Sequence, residues 1–396
     1  MSFSTRMAGA HARLRTVGVT GTNGKTTTTS MVAAIVAAAG EPSARITTLG
    51  AWVNDERMAG TDLVDEFLVT VERAVARGVR TVAVEMTSKG LAAGVARRWC
   101  PEVAVVTNVT RDHLDLHGTP EAYLAAKAQL VIALAPGGTA VVNGDDPAVA
   151  LLAELVPKGV TIRRFSQHDP RSALFAERID VSRAGTRVVL GGELADHFGG
   201  AIALGVVGGV HAQNAMAAAL AGHALGYSRD AIRLGLAAFV GVPGRFEVVA
   251  HEPLVVVDYA HTPDGLAGTL ATARALATRV ICVFGCGGNR DRGKRPEMGA
   301  IADRDADVVV VTTDNPRHDD PRTIAAEIMV GASAPRAQWI VELDRARAIE
   351  VALAMAGPTD IVVIAGKGHE QVQELAGAAV PFSDADVVRD VRLRAV

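Results

Sequence analysis

Two consecutive α/β domains, each an open and mainly parallel sheet, are what this sequence predicts, on three observations. Short β-branched runs alternate with alanine- and leucine-rich helical stretches, which is the order of successive βαβ units. A glycine-containing turn at Gly21, Thr22, Asn23 and Gly24 stands between a strand-like and a helix-like run. A Gly/Pro cluster at Gly241, Val242, Pro243 and Gly244 breaks the alternation after a helix and marks a domain boundary.

Taken in order, residues 16–20 read as a buried strand, and residues 25–39 as a helix that Gly40 stops, as glycine commonly does just past a helix. Strands are expected at 81–85, 103–107 and 139–143, and helices at 120–134 and 211–225. Between 160 and 207 short strands with turns replace the helical stretches, which predicts an antiparallel insertion or edge. Residues 1–15 read as a tail, 16–242 as a central domain and 243–396 as a C-terminal domain. The C-terminal part repeats the βα alternation, with strands at 254–257, 280–284, 308–312, 339–342 and 361–364. Open parallel sheets bind ligands beyond the carboxyl ends of their strands. Polar clusters follow four of these ends, at 258–261, 285–295, 314–317 and 366–370. Loop composition alone accounts for one or two such clusters and less comfortably for four.

Bulk properties narrow the function classes. At 396 residues, 49% hydrophobic and 21% charged, the chain has an ordinary globular composition and length for two or three domains. A net charge of -3 gives no electrostatic footprint for nucleic acid or an anionic membrane, so the expected partners are small molecules. The apolar runs are too short to span a bilayer, and the N-terminus lacks a signal-peptide core, so a cytoplasmic protein is expected. Three cysteines, Cys100, Cys282 and Cys286, form no disulfide framework, and no second Cys/His pair would complete a zinc site around the latter two.

The turn after the first strand carries the clearest chemistry. Gly21, Thr22, Asn23, Gly24, Lys25, Thr26 and Thr27 fit a phosphate loop. Glycines let backbone N–H groups turn toward phosphate oxygens, and the helix N-terminus adds partial positive charge. Lys25 would bridge the outer phosphates of ATP and the Thr26 hydroxyl would ligate Mg²⁺. A strict P-loop has glycine where this chain has Val19. The central domain is thus expected to be P-loop ATPase-like and the C-terminal one Rossmann-like.

The run VTGTNGKTTTT, residues 19–29, also closely resembles the ATP loop of the Mur ligases and their folylpolyglutamate-synthetase relatives. Collinear matches continue at residues 84–88, 107–115 and 125–127, at Asn214, and at 244–247 and 258–264. By this resemblance Glu85 and His113 hold a second Mg²⁺, and Lys127 is carbamylated so that its carbamate helps position the metal. Asn214 contacts adenine, Arg245 reaches the terminal phosphates, and Asp258 and His261 serve the ribose and the neighbouring loop. From the residues alone, Lys127 would be a solvated helix face and His113 a structural histidine. Carbamylation requires a neutral amine, a very small fraction at an ordinary lysine pKa of about 10.4, so the surroundings must help. The implied activity is ATP-dependent amide ligation: a carboxylate attacks the γ-phosphorus, and an amino acid's amine attacks the acyl-phosphate.

Residues 285–296 resemble the branch of the family that adds the third peptide residue to peptidoglycan precursors. Asp314, Asn315, Pro316 and Arg317 match the motif by which its diaminopimelate-adding members select their amino acid, and Arg295, Gly366 and Glu370 match the other contacts. Arginines for a carboxylate and Glu370 for a distal ammonium would read a zwitterionic side-chain end. Two departures concern the acid. Family members carry a uridine-nucleotide-binding domain ahead of the ATP loop, whereas a tail is expected here. Their Thr-Thr-Pro segment is replaced at residues 60–66, where carboxylates would repel an anionic nucleotide-sugar. A smaller or non-uridylated acid is therefore weighed equally. A folylpolyglutamate- or cyanophycin-type ligase, and a non-catalytic ATP-binding relative, are the alternatives. Retention of Lys25, Glu85, His113, Lys127 and Arg245 weighs against the last.

Overall fold

The computed structural model describes residues 3–332 and 334–394. The chain divides into two units. One runs to Thr110 and takes in His117–Asp180 and Ala184–Val240; the other holds Arg111–Leu116, Val181–Arg183 and the chain from Gly241 on.

In the first unit the segment ahead of the first strand is helix α1 (Phe3–His11), where the sequence reads as a tail; Met7, Ala10 and Leu14 join the core. Then come β1 (Arg15–Thr20), α2 (Lys25–Ala38), β2 (Ser43–Thr47), β3 (Gly50–Val53), β4 (Glu56–Met58), α3 (Leu63–Ala76) and β5 (Thr81–Glu85). Short helices α4 (Ser88–Ala92) and α5 (Val95–Arg98) lead to β6 (Val103–Val106). The turn α6 (Leu114–His117) and helix α7 (Pro120–Ile132) lead to β7 (Thr139–Asn143). The unit continues with α8 (Pro147–Ala153), β8 (Thr161–Ser166), β9 (Leu174–Ser182), β10 (Gly185–Gly191), β11 (Ala201–Leu204), α9 (Val210–Ala224) and α10 (Arg229–Ala237).

Strand β1 sits inside an eleven-stranded sheet, ordered β11-β10-β9-β8-β7-β6-β1-β5-β2-β3-β4. It pairs in parallel with both β5 and β6. Its β-branched residues are buried, as expected of a strand covered on both faces. A Cβ on Gly18 would lie 2.9 Å from Leu130 Cδ1, so that glycine lets α7 lie close against β1. Lys127, one turn before Leu130, is thereby brought to the end of β1. The expected antiparallel insertion is confined to the far edge: β8 pairs in parallel with β7 and with β9, and the β10–β11 pair is antiparallel. Helix α8 is only 7 residues long, too short for its periodicity to show, and it makes β7-α8-β8 one more crossover.

Helix α9 carries one buried ionisable group outside the predicted chemistry. His211 is buried, its Nδ1 has no hydrogen-bond partner among the described residues, and burial pushes its pKa down from 6.5 to about 4. A histidine whose folded pKa lies below its unfolded value loses stability as pH falls, because the unfolded chain takes the proton first. His211→Leu should therefore gain about 3 kcal/mol on the wild type between pH 7 and pH 4. Urea unfolding at a series of pH values checks this; parallel stability curves for the two proteins would contradict it.

The second unit contains β12 (Glu247–His251), β13 (Leu254–Asp258), α11 (Pro263–Leu276), β14 (Val280–Phe284), α12 (Lys294–Asp305), β15 (Val308–Val311) and α13 (Pro321–Met329). It ends with β16 (Gln338–Val341), α14 (Arg345–Met355), β17 (Ile361–Ala365), the β18 (Val372–Leu375) and β19 (Ala378–Pro381) ribbon, and α15 (Asp384–Arg394). The sheet order is β12-β13-β17-β14-β15-β16, parallel except for the β12–β13 pair. Insertion of β17 between β13 and β14 makes the four polar clusters neighbours at one sheet edge. Below that edge Arg345 and Asp384, both 0% exposed, pair at 2.7 Å, and Arg345 also donates to the Ala365 carbonyl. They fix α14 and α15 to the end of β17.

Candidate active site

The loop from Gly21 to Lys25 follows β1 directly. Val19, the departure from a strict P-loop, lies within the strand in register with Glu85 of β5, so the turn begins two residues later. Gly24 has φ +83°, and a Cβ there would lie 2.3 Å from Asn214 Oδ1; one on Gly21 would lie 1.8 Å from Thr107 Oγ1. Only glycine fits either position. Gly24 also supplies no side-chain cap to α2, so first-turn N–H groups of that helix face outward for an anion. The loop is braced from below. Thr22 N donates to Asn108 O and Asn23 N to Asn108 Oδ1, each at 2.8 Å, while Thr107 Oγ1 donates to Asn23 O at 2.6 Å. Lys25 Nζ donates to Thr22 O at 2.8 Å, and Thr27 is buried in the first turn.

Beside this loop Thr26 Oγ1 donates to Glu85 Oε2 at 2.8 Å, and Thr48 N donates to the same oxygen at 3.1 Å. A threonine hydroxyl next to a carboxylate is an all-oxygen corner suited to a hard cation such as Mg²⁺. Lys127 is no solvated face. It is 1% exposed, its Nζ donates to Gly21 O at 2.6 Å, and Nζ lies 4.5 Å from the centre of the Tyr123 ring. The Tyr123 hydroxyl bonds Thr22 Oγ1 at 3.1 Å, so Lys127 and Tyr123 both hold the loop. Among the described residues no three His, Cys, Asp or Glu side chains form a metal cluster.

Asn214 on α9 accepts from Thr28 Oγ1 at 3.3 Å and donates to Val210 O at 3.1 Å. An open pocket of ≈ 400 Å³ lies past β6 and β7, lined by Val109, Thr110, Asn143, Asp145, Asp146, Pro147 and Ala148. In the replaced segment, Asp62 caps α3 through Val64 N and Asp65 N, and Asp65 accepts from Thr61 N. These two carboxylates are engaged in local turn structure.

In the second unit a Cβ on Gly244 (φ +66°) would lie 2.1 Å from His369 N, so this glycine lets the start of the unit meet the loop after β17. Arg245 stacks its guanidinium 4.3 Å above the Tyr259 ring, and its buried Nε has no hydrogen-bond partner among the described residues. Asp258 accepts from Phe246 N at 2.5 Å and from Thr269 Oγ1 at 3.1 Å, and burial raises its pKa. Its Oδ2 thus holds the backbone beside Arg245, and its Oδ1 ties that strand end to α11. The imidazole of His261 is bonded at Nδ1 to Tyr259 O at 2.8 Å, and burial pushes it down to about 4, so it is neutral at pH 7. His113 has φ +52° and pairs through Nε2 with Asp112 at 3.4 Å. Burial pushes the Asp112 carboxyl up, but His261, His113 and Lys294 together bring it below its usual range.

The predicted amino acid contacts converge past β14, β15 and β17. Asp314 is buried, its Oδ2 has no hydrogen-bond partner among the described residues and burial raises its pKa; a Cβ on Gly366 would lie 2.4 Å from that oxygen. Asn315 Nδ2 donates to Glu370 Oε2 at 2.8 Å. Arg317 (φ +53°) donates from Nη1 to Gly288 O at 2.9 Å and pairs through Nε with Glu374 at 2.7 Å. Arg295 turns inward instead. It is 1% exposed and bonded to Glu327 at 2.6 Å, Asp319 at 2.9 Å and Gly287 O at 3.0 Å. Cys282 and Cys286 are buried, and burial pushes both thiols up to about 12.

Comparison with known proteins identifies this arrangement. The Mur ligase middle domain matches residues 19–222, and the Mur ligase, glutamate ligase domain matches residues 244–368. The UDP-N-acetylmuramoyl-L-alanyl-D-glutamate--2,6-diaminopimelate ligase of Thermosynechococcus vestitus is 43% identical over 390 residues, covering 95% of this chain and 76% of that protein. The chain belongs to the Mur ligase family. The ligase of the same name from Geobacillus kaustophilus is 38% identical, over 95% of this chain and 78% of its own. A solved structure of such a ligase superposes with a TM-score of 0.66 at 34% identity, over 96% of this chain and 79% of that one. E. coli FolC in complex with ADP shares the fold at a TM-score of 0.70 and 20% identity, over 99% of this chain and 94% of its own.

This Mur ligase is an ATP-dependent, ADP-forming enzyme that joins a carboxylic acid to an amino acid. Several of its site-supporting residues escape a reading by motif. Thr48 reaches Glu85 from the turn after β2, Tyr123 reaches the loop from α7, and Lys367 sits between Asn315 and Glu370. Thr48 and Tyr123 carry no local signal, because tertiary pairing alone brings them in. Lys367 had one: a lysine amid the polar cluster that follows a buried strand. No helix among the described residues is long and apolar enough to cross a membrane.

Proposed function

We propose that this Mur ligase adds diaminopimelate, or an amino acid with the same zwitterionic side-chain end, to a carboxylic acid in the cytoplasm. The observation that carries this reading is the bond between Asn315 and Glu370 at 2.8 Å, which joins the loops after β15 and β17 into one polar pocket with Arg317 at its side. The Nη2 of Arg317 has no bond among the described residues, which leaves it for a distal carboxylate. Glu370 offers the ammonium a hydrogen-bond acceptor. Arg295, locked between Glu327 and Asp319, braces the loop that Arg317 rests on.

The chemistry follows in two displacements. An oxygen of the acid's carboxylate attacks the γ-phosphorus of ATP in line, and ADP leaves. The amine of the incoming amino acid then attacks the acyl carbon, the C–O bond to phosphate breaks, and the amine gives up a proton. Lys25 and Arg245 neutralise charge on the transferring group, and the phosphate loop N–H groups hold the outgoing ADP. Mg²⁺ at Thr26 and Glu85, with His113 and a carbamate on Lys127, would neutralise and orient the phosphates. Asn214 serves the adenine, and Asp258 and His261 hold the backbone beside Arg245.

ADP release is the test, measured with UDP-N-acetylmuramoyl-L-alanyl-D-glutamate or its non-uridylated counterpart as acid and with diaminopimelate, lysine or glutamate as amine. Turnover that requires one acid together with diaminopimelate supports the reading, and a preference for glutamate assigns the extending type of ligase instead. Arg317→Ala should cost about 2–4 kcal/mol in kcat/KM for diaminopimelate, roughly 30- to 1000-fold. Lysine, which has no distal carboxylate, should be hardly affected. Equal losses for both amines would make Arg317 a loop anchor only.

A further inference from the structure

The amine pocket contains a cation that the recognition of a zwitterion does not itself require. Lys367, in the loop after β17, has 0% of its side chain exposed, and Nζ is held by Asn315 Oδ1 at 2.9 Å, Glu370 Oε2 at 2.8 Å and Val372 O at 2.7 Å. Three donors meet three acceptors, so the ammonium is saturated. Burying such a charge is unfavourable unless pairing and hydrogen bonds offset it, which makes this one a fixed point of the site.

Two consequences follow from its position. Asn315 Oδ1 accepts both from Lys367 and from Glu374 N at 3.0 Å, so the amide NH₂ must turn toward Glu370. Both bonds to Glu370 fall on Oε2, and Oε1 receives none from the described residues. Burial pushes the Glu370 carboxyl up, but the bond and charge of Lys367, together with the Asn315 bond and His369, bring it below its usual range, so Glu370 stays ionised with one oxygen committed and one open.

We propose that Lys367 is a positioning residue that sets both the orientation and the charge of the amine pocket, selecting a zwitterionic side-chain end over a lone ammonium. Lys367 cancels Glu370, and Glu374 cancels Arg317. A lone ammonium entering this balanced pocket brings an uncompensated charge into a low dielectric, whereas a zwitterionic end brings none. With Lys367 removed, the substrate's own ammonium becomes the partner that Glu370 lacks. The inference rests on the proposed amine-reading function, and the experiment separates the two.

Lys367→Met, Glu370→Gln and the double variant are made in the full chain. Each is assayed for kcat and KM with diaminopimelate and with L-lysine, for KM of ATP, and for melting temperature. Lys367→Met should raise KM for diaminopimelate on the order of 10-fold or more, shift the preference toward lysine, and leave KM for ATP within about two-fold. The double variant should be no worse than Glu370→Gln alone, because Lys367 acts through Glu370. Equal losses for both amines, or losses that add in the double variant, would overturn the proposal. If Lys367→Met does not fold, Lys367→Gln, which keeps a donor, takes its place; failure of both makes Lys367 a fold anchor and overturns it too. Glu370→Gln that leaves both amines unaffected would instead remove the amine-reading function itself.

Discussion

Lys25→Ala is expected to lower kcat for ADP release on the order of 10³-fold while the melting temperature stays within a few degrees. The lysine stands at the first position of α2, where its ammonium adds a full charge to the partial charge of the helix N-terminus. Its bond to Thr22 O at 2.8 Å is local to the loop, and the braces from Thr107 and Asn108 run between other residues. Charge on the transferring phosphoryl group would then lack a preorganised partner, a loss usually worth several kcal/mol of barrier. Thermal melts and steady-state ADP release on the same preparation check both halves. Normal ADP formation by the folded variant would remove the phosphate-loop assignment.

Lys127→Ala should lose activity on the order of 10²-fold or more, with partial recovery when a short carboxylate such as acetate is added. The lysine approaches the turn at the end of β1 from α7, a place set by Gly18 and Leu130. Carbamylation forms an N–C bond between the amine and CO₂ with release of a proton, and it would turn this cation into an anionic oxygen donor beside the phosphate loop. An added carboxylate can stand in for those oxygens but not for the bond to Gly21 O, so recovery should be incomplete. Carbon-13 spectra in labelled bicarbonate should show a carbamate signal in the wild type and none in the variant. An unmodified lysine in fully active enzyme would contradict the metal-positioning role.

Much of this architecture was legible because strand ends and chemistry coincide in the sequence. The strands at Thr81–Glu85, Thr139–Asn143 and Val280–Phe284 lie where β-branched runs predict them, since strands buried on both faces tolerate little else. The four C-terminal polar clusters were readable as a site, but their adjacency was not. It depends on β17 entering between β13 and β14, a non-local choice. Helices α1 and α8 were missed because stretches of 9 and 7 residues give periodicity too little length. Side-chain commitment is the other thing motifs do not show. Arg295 and Arg317 read alike in sequence, yet one is enclosed by Glu327 and Asp319 and the other keeps part of its guanidinium open. The same holds for Lys127, a solvated face by composition and a buried lysine by contact.

The fate of the acid's oxygen tests the central claim most directly. If the carboxylate attacks ATP and the amine then displaces phosphate, one carboxylate oxygen must leave with that phosphate. An acid labelled with oxygen-18 in its carboxylate, incubated with ATP, diaminopimelate and the enzyme, should yield inorganic phosphate carrying one labelled oxygen for each amide formed. Amide formation with unlabelled phosphate, or phosphate release without amide, would contradict the account.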